Sequence, residues 1–166
     1  ELAEQALSFR QRVFGDQHAS TNFSRATLAR TLYEEGEHAR AQALAQQLLE
    51  YRQARLGPEH PLTIGSMILL ASTLRAQGDL SGARSLLEQA MAAKESAQVI
   101  GHPVSLKTMH ELAMTVFAQG NPVEARCLLE QALAAARNQL GDQHKLTLKI
   151  VDDLALIRKP DEHTTG

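Results

Sequence analysis

Apolar residues recur along this chain at helical spacing, and the same arrangement returns along its length. After His18 the pattern is carried by Leu28, Ala29 and Leu32, then by Leu70, Ala71 and Leu74, then by Leu112, Ala113 and Val116. Positions three and four apart fall on one face of an α-helix, so each stretch predicts an amphipathic helix, here called helix A. Beyond Gly36, Gly78 and Gly120 a second periodic stretch follows: Ala41, Leu44, Ala45, Leu48 and Leu49, answered by Ala83, Leu86, Leu87, Ala90 and Met91, and again by Ala125, Leu128, Leu129, Ala132 and Leu133. That stretch predicts helix B.

The interval between equivalent residues is constant. His18, His60, His102 and His144 stand 42 residues apart, as do Gly36, Gly78 and Gly120, the Leu column at 28, 70, 112 and 154, the Ala column at 29, 71, 113 and 155, and the hydroxyls Thr21, Thr63, Ser105 and Thr147. Self-similarity at a fixed period of this size is the mark of a repeat architecture. The Gly between A and B suits a helix end whose left-handed backbone turns the chain back within two residues, so the pairs should be antiparallel. The Ala columns at 29, 71 and 113 and at 41, 83 and 125 sit where larger side chains would force the axes apart. Pro61 and Pro103 follow their His and mark helix starts, where proline loses only an N–H that has no intrahelical partner.

The frame extends to both ends. Leu2, Ala3, Ala6 and Leu7 match helix B, and Leu148 to Ile157 match helix A. An all-α chain of about seven antiparallel helices is therefore expected, in the order B, A-B, A-B, A-B, A. One repeat domain should cover 1–159, as a partial repeat at 1–17, repeats at about 18–59, 60–101 and 102–143, and a partial repeat at 144–159, with 160–166 a flexible tail. Gly15, Gly57 and Gly141 precede their His by three residues but Gly101 adjoins His102, so that B-to-A loop should differ in shape.

Composition narrows the function. At 166 residues, with 43% apolar and 22% charged, the chain fits one ordinary globular domain. No apolar run approaches the span of a bilayer, so no membrane partner is expected. Seventeen basic against nineteen acidic residues give a net charge of −2, which speaks against nucleic acid. Cys127, the single cysteine, cannot close an intrachain disulfide, and a cytoplasmic setting is expected. Glu1 is not an initiator methionine and no signal peptide opens the chain, so an excerpt of a longer polypeptide is expected.

The residues Leu28-Ala29, Gly36, Ala41 and Ala45, with their counterparts one and two periods on, resemble the tetratricopeptide repeat (TPR) over nearly the whole chain. The usual unit is about 34 residues. A 42-residue period with GDQH at 15–18, GPEHP at 57–61 and GDQH at 141–144 is more similar to the longer repeats of kinesin light chains and related bacterial proteins. The resemblance implies a right-handed α–α superhelix, a TPR solenoid, whose concave side is lined mainly by helix A. In kinesin light chains an Asn commonly precedes the Leu-Ala pair and contacts the bound peptide; Thr27, Leu69, Glu111 and Asp153 stand there in this sequence.

Carried over by register, the concave lining is Phe23, Ala26, Arg30, Tyr33 and Glu34; Gly65, Ile68, Ser72, Arg75 and Ala76; Lys107, His110, Met114, Phe117 and Ala118; and Lys149, Asp152, Leu156 and Lys159. Five Lys or Arg residues stand there against two carboxylates, with large apolar residues among them. A protein or peptide partner with acidic residues beside apolar anchors fits such a lining, with Arg30 and Arg75 available for paired hydrogen bonds to carboxylates.

Chemistry of other kinds finds little support. Equivalent His residues in successive units should stand apart by the roughly 8 to 10 Å of helix packing, too far to share a zinc. At the start of helix A they suit closure of orphan N–H groups instead. Cys127 lies in helix B, away from the lining, and His110 has no nucleophile predicted beside it. No glycine-rich nucleotide loop occurs. No cofactor, no metal and no catalysis are expected. Two other roles remain open: self-association through exposed end helices, where Leu2, Leu7, Val13, Phe14, Ile150, Leu154 and Ile157 are partly uncovered, or a regulatory or sensor segment of a larger multidomain protein.

Overall fold

The computed structural model describes residues 2–96 and 103–157. These form eight helices and no strand: α1 (Leu2–Phe14), α2 (Ala19–Glu34), α3 (His38–Leu56), α4 (Pro61–Ala76), α5 (Leu80–Ser96), α6 (Pro103–Ala118), α7 (Pro122–Leu140) and α8 (Lys145–Leu156). The number is eight rather than the seven expected; the expected order, one B helix, three A-B pairs and one A helix, itself amounts to eight. Helices α2, α4, α6 and α8 are the A type, and α1, α3, α5 and α7 the B type. The loop around Gly101 and the tail at 160–166 lie outside the described residues.

Repeated local chemistry starts and stops these helices. His18, His60 and His144 hold extended backbone at the N-caps of α2, α4 and α8. Each accepts at Nδ1 a hydrogen bond from the N–H two residues on, at 3.1 Å from Ser20, 3.1 Å from Leu62 and 3.2 Å from Leu146. One orphan donor of each helix start is thereby satisfied. At the other end of α2, Gly36 has φ +83°, and the Glu37 N–H reaches back to the Leu32 carbonyl at 2.8 Å. This closure by a left-handed glycine recurs at Gly78 and Gly120, where Asp79 and Asn121 bond back to Leu74 and Val116.

The described helices pack as two compact units, divided within α5 between Leu86 and Leu87. In the first, α2 packs on α1 and α3, α3 packs on α4, and α2 touches α4. Leu7, Leu28, Leu32 and Ala41 form a core cluster there, against which Ala3, Tyr33 and Leu44 pack. In the second, α7 packs on α6 and α8, burying Leu106, Ala113, Val116, Ala125, Leu129, Ala132, Ala136, Ile150 and Ile157. Ala29, Ala71 and Ala113, and Ala41, Ala83 and Ala125, are completely inaccessible to solvent. Their small side chains let antiparallel axes approach closely, as the spacing predicts.

Candidate partner-binding surface

The A helices present the expected lining residues in three different settings. On α2, Phe23 is 67% exposed and Arg30 is exposed, while Tyr33 is half-buried with its ring 5.6 Å from that of His38. On α4, Ile68 and Ser72 are buried, and Ser72 Oγ donates to the Ile68 carbonyl at 2.9 Å; Arg75 is half-buried. In the second unit Lys107 and Lys149 are exposed, Met114 and Phe117 lie half-buried against the core, and His110 is only 2% exposed.

His110 is held by carboxylates. Its Nε2 lies 2.6 Å from Asp153 Oδ2, and its Nδ1 is 3.8 Å from Glu111 Oε1. Lys149 Nζ approaches the same Asp153 oxygen at 3.4 Å. The bond between His110 on α6 and Asp153 on α8 explains why His110 is inside: its column faces the next A helix rather than the open side. Asp153 occupies the column in which Thr27, Leu69 and Glu111 stand, and it is itself buried. A buried carboxylate needs partners, and His110 and Lys149 supply them.

A second set of polar residues escaped the register argument. Arg10 on α1 donates from Nη1 to the Ser20 carbonyl at 3.2 Å and to Ser24 Oγ at 2.8 Å. One period on, Arg52 on α3 donates to the Leu62 carbonyl at 2.8 Å and to Ser66 Oγ at 2.9 Å. Burial lowers the Arg52 pKa from its ordinary value, with Tyr51 opposing. These cross-links tie α1 to α2 and α3 to α4. Their signal was present in the sequence, since Arg10, Arg52 and Lys94 lie 42 residues apart, as do Ser24, Ser66 and Thr108. At the last such contact Ala136 and Ile150 stand in the same columns, both fully buried, so an apolar pair replaces the polar one.

Away from the open side of the A helices, α1, α2 and α3 enclose a recess of about 560 Å³ lined by Gln11, Asp16, Arg25, Gln47, Glu50 and Tyr51, among others. Arg25 is buried and donates to Asp16 Oδ1 at 3.0 Å and to Asn22 Oδ1. Two carboxylates and amides around one guanidinium leave no cationic surplus there. Cys127 is exposed on α7, with Gln131 Nε2 3.5 Å from its sulfur. The His caps spend Nδ1 on the backbone, and no group of three or more metal-ligating side chains occurs among the described residues.

Comparison with known proteins assigns the architecture. Family models described as tetratricopeptide repeat match residues 25–96 and 105–144. A solved structure of nearly identical TPR-like repeats, from a Podosopora anserina chain described as a kinesin light chain, is 31% identical; the match covers 94% of this chain and 74% of that one, with a TM-score of 0.72. The chain belongs to the tetratricopeptide repeat family.

A Q17M form of the same Podosopora anserina repeats superposes with a TM-score of 0.74 at the same identity and coverage. BtubC from P. vanneervenii, 19% identical over 94% of this chain and 63% of its own, shares the fold with a TM-score of 0.76. No curated protein matches this chain in sequence. The described residues of this TPR chain are thus all-α, with kinesin light chain-like repeats, and tetratricopeptide repeats generally mediate protein–protein interaction. No helix of the described residues is long and apolar enough to cross a membrane.

Proposed function

We propose that this chain is a non-catalytic scaffold that holds a segment of a partner protein along the helix-A side of its repeats. The observation that carries the reading is on α2. Phe23 and Arg30 lie seven residues apart, two turns of one helix face, and both are exposed. A large ring held in solvent and a guanidinium about 10 Å further along the same helix face offer a partner segment an apolar contact and a fork for a carboxylate. Lys107 on α6 and Lys149 on α8 add exposed cationic groups in the second unit. The favoured partner segment is acidic with aromatic or aliphatic anchors, in an extended or helical conformation.

Ile68, Ser72 and His110 enter this reading as support rather than as contacts, because their side chains are buried. The direct contacts are Phe23, Arg30, Tyr33, Arg75, Lys107, Met114, Phe117 and Lys149. Fluorescence anisotropy with an array of labelled peptides, graded in acidic and aromatic content, tests the assignment. The acidic, aromatic-containing peptides should bind most tightly, and Phe23→Ala and Arg30→Glu should each weaken that binding about tenfold or more, as loss of an anchor at a contact does. Arg126→Glu, on α7, should leave it unchanged. Equal binding by all four proteins would place recognition elsewhere.

A further inference from the structure

Among the described residues, glycine stands where the chain itself needs it, with one exception. At the helix ends it holds left-handed backbone. In α5 a Cβ on Gly82 would collide with the Asp79 carboxylate that accepts the Gly82 N–H. Gly65 meets neither condition. It lies in the body of α4, where glycine costs helix stability relative to alanine, and a Cβ there would meet no atom within 4 Å. No helix of the described chain, then, uses the space that its missing side chain leaves.

That space opens on the helix-A side. In the 42-residue register Gly65 shares its column with Phe23, Lys107 and Lys149, each a large side chain exposed to solvent. Where the other A helices carry a projecting group, α4 carries none. Three residues before Gly65 stands Leu62, 52% exposed, and four residues after it Leu69, half-buried. Offsets of three and four place all three on one face, so bare backbone lies between two leucines about 10 Å apart along the axis. The result is an apolar notch. From the α3 side Arg52 pins the same turn, donating to the Leu62 carbonyl and to Ser66 Oγ. No charged side chain occurs from Pro61 to Leu74, whereas the equivalent stretches of α2, α6 and α8 carry Arg30, Lys107 and Lys149 among others.

We propose that this notch is a binding subsite for a leucine or aromatic side chain of the partner segment. The proposal rests on the helix-A side being the recognition surface, and it names where the segment's apolar anchor sits. A charged side chain would lose hydration against Leu62 and Leu69 with no opposite charge on this stretch of α4 to replace it. An apolar one leaves water there and covers both leucines. The missing Cβ lets it approach the helix axis more closely than the columns of Phe23, Lys107 and Lys149 allow, as a knob enters a hole between ridges. Helix α2 touches α4 and carries the exposed Arg30, so a carboxylate beside the anchor meets its cation on the adjacent helix. The stability that glycine costs α4 is offset only when the notch is filled.

Fluorescence anisotropy with two short labelled acidic peptides, identical except for a central Phe or Ala, tests the subsite. The parent chain should bind the Phe peptide about tenfold or more tightly than the Ala peptide. Gly65→Leu, which fills the notch with the chain's own side chain, should weaken the Phe peptide to the level of the Ala peptide and leave the Ala peptide unchanged. Gly65→Ala should weaken the Phe peptide less, in the same direction, while its melting temperature rises; a binding loss in a more stable protein does not come from damage to the fold. A preference kept in full by Gly65→Leu, with Arg30→Glu still weakening both peptides, would overturn the notch and leave the helix-A surface standing. Equal binding of the two peptides by the parent chain would also overturn the notch alone. A parent chain that binds neither peptide would overturn the notch together with the reading it rests on.

Discussion

His110 and Asp153 meet inside the second unit, Nε2 to Oδ2 at 2.6 Å, and this bond joins two A helices, α6 and α8. In unit 1 the same columns hold Ala26 and Leu69, an apolar pair. Removing one partner strands a buried polar group, so Asp153→Ala should cost about 1–3 kcal/mol. The double replacement His110→Ile with Asp153→Leu, which copies the residues of the α4 columns, should recover most of that loss. Urea denaturation of the single and double variants measures both. A double variant no more stable than Asp153→Ala alone would show that an apolar pair cannot replace the polar one in this packing.

The Arg cross-link predicts a loss where it exists and none where it has been replaced. Arg52→Ala deletes bonds to the Leu62 carbonyl and to Ser66 Oγ, and should destabilise by about 1–2 kcal/mol. Arg10→Ala should behave alike, since it removes the equivalent bonds. By contrast, Ala136→Arg would thrust a guanidinium against buried Ile150 and should destabilise more than either deletion. Chemical denaturation ranks the three.

Two glycines should respond to alanine with opposite signs. Gly36, at φ +83°, closes α2 in a conformation that a Cβ disfavours, and Gly36→Ala should cost about 1 kcal/mol. Gly65 lies within α4, and a Cβ built there meets nothing within 4 Å. Gly65→Ala should therefore stabilise the chain by up to about 1 kcal/mol through helix propensity alone. Thermal melts of the two variants, displaced in opposite directions from the parent, are the expected result.

Glu4 accepts a hydrogen bond from Arg40, and that bond is the largest influence holding its carboxyl below the ordinary glutamate range. A carboxyl lowered in the folded state adds stability that is present above its unfolded pKa and is lost as pH falls through the folded one. Both side chains reach solvent, so the titration midpoint is more readable than the stability. Arg40→Ala should move the Glu4 midpoint upward in a carboxyl-detected NMR titration. An unmoved midpoint would show that the pair does not persist in solution.

Periodicity alone determined which segments are helices, which of them pair, where His caps and Gly stops fall, and which Ala positions vanish between axes. These are local or nearest-neighbour matters, set by residue type at a fixed offset, and a repeat states them several times over. The sequence also carried the Arg10 and Arg52 column, which went unread because charged residues on a B helix look like solvated surface until the Ser24 and Ser66 partners are seen beneath them. Tertiary structure alone decided which lining positions are open. Phe23 and Ile68 stand in neighbouring columns of the same kind of helix, yet one is in solvent and the other in the core. Their fate depends on which side of the helix axis meets the next A helix, an angle of packing that a one-dimensional register does not contain. The same angle drew His110 away from the open face and toward Asp153.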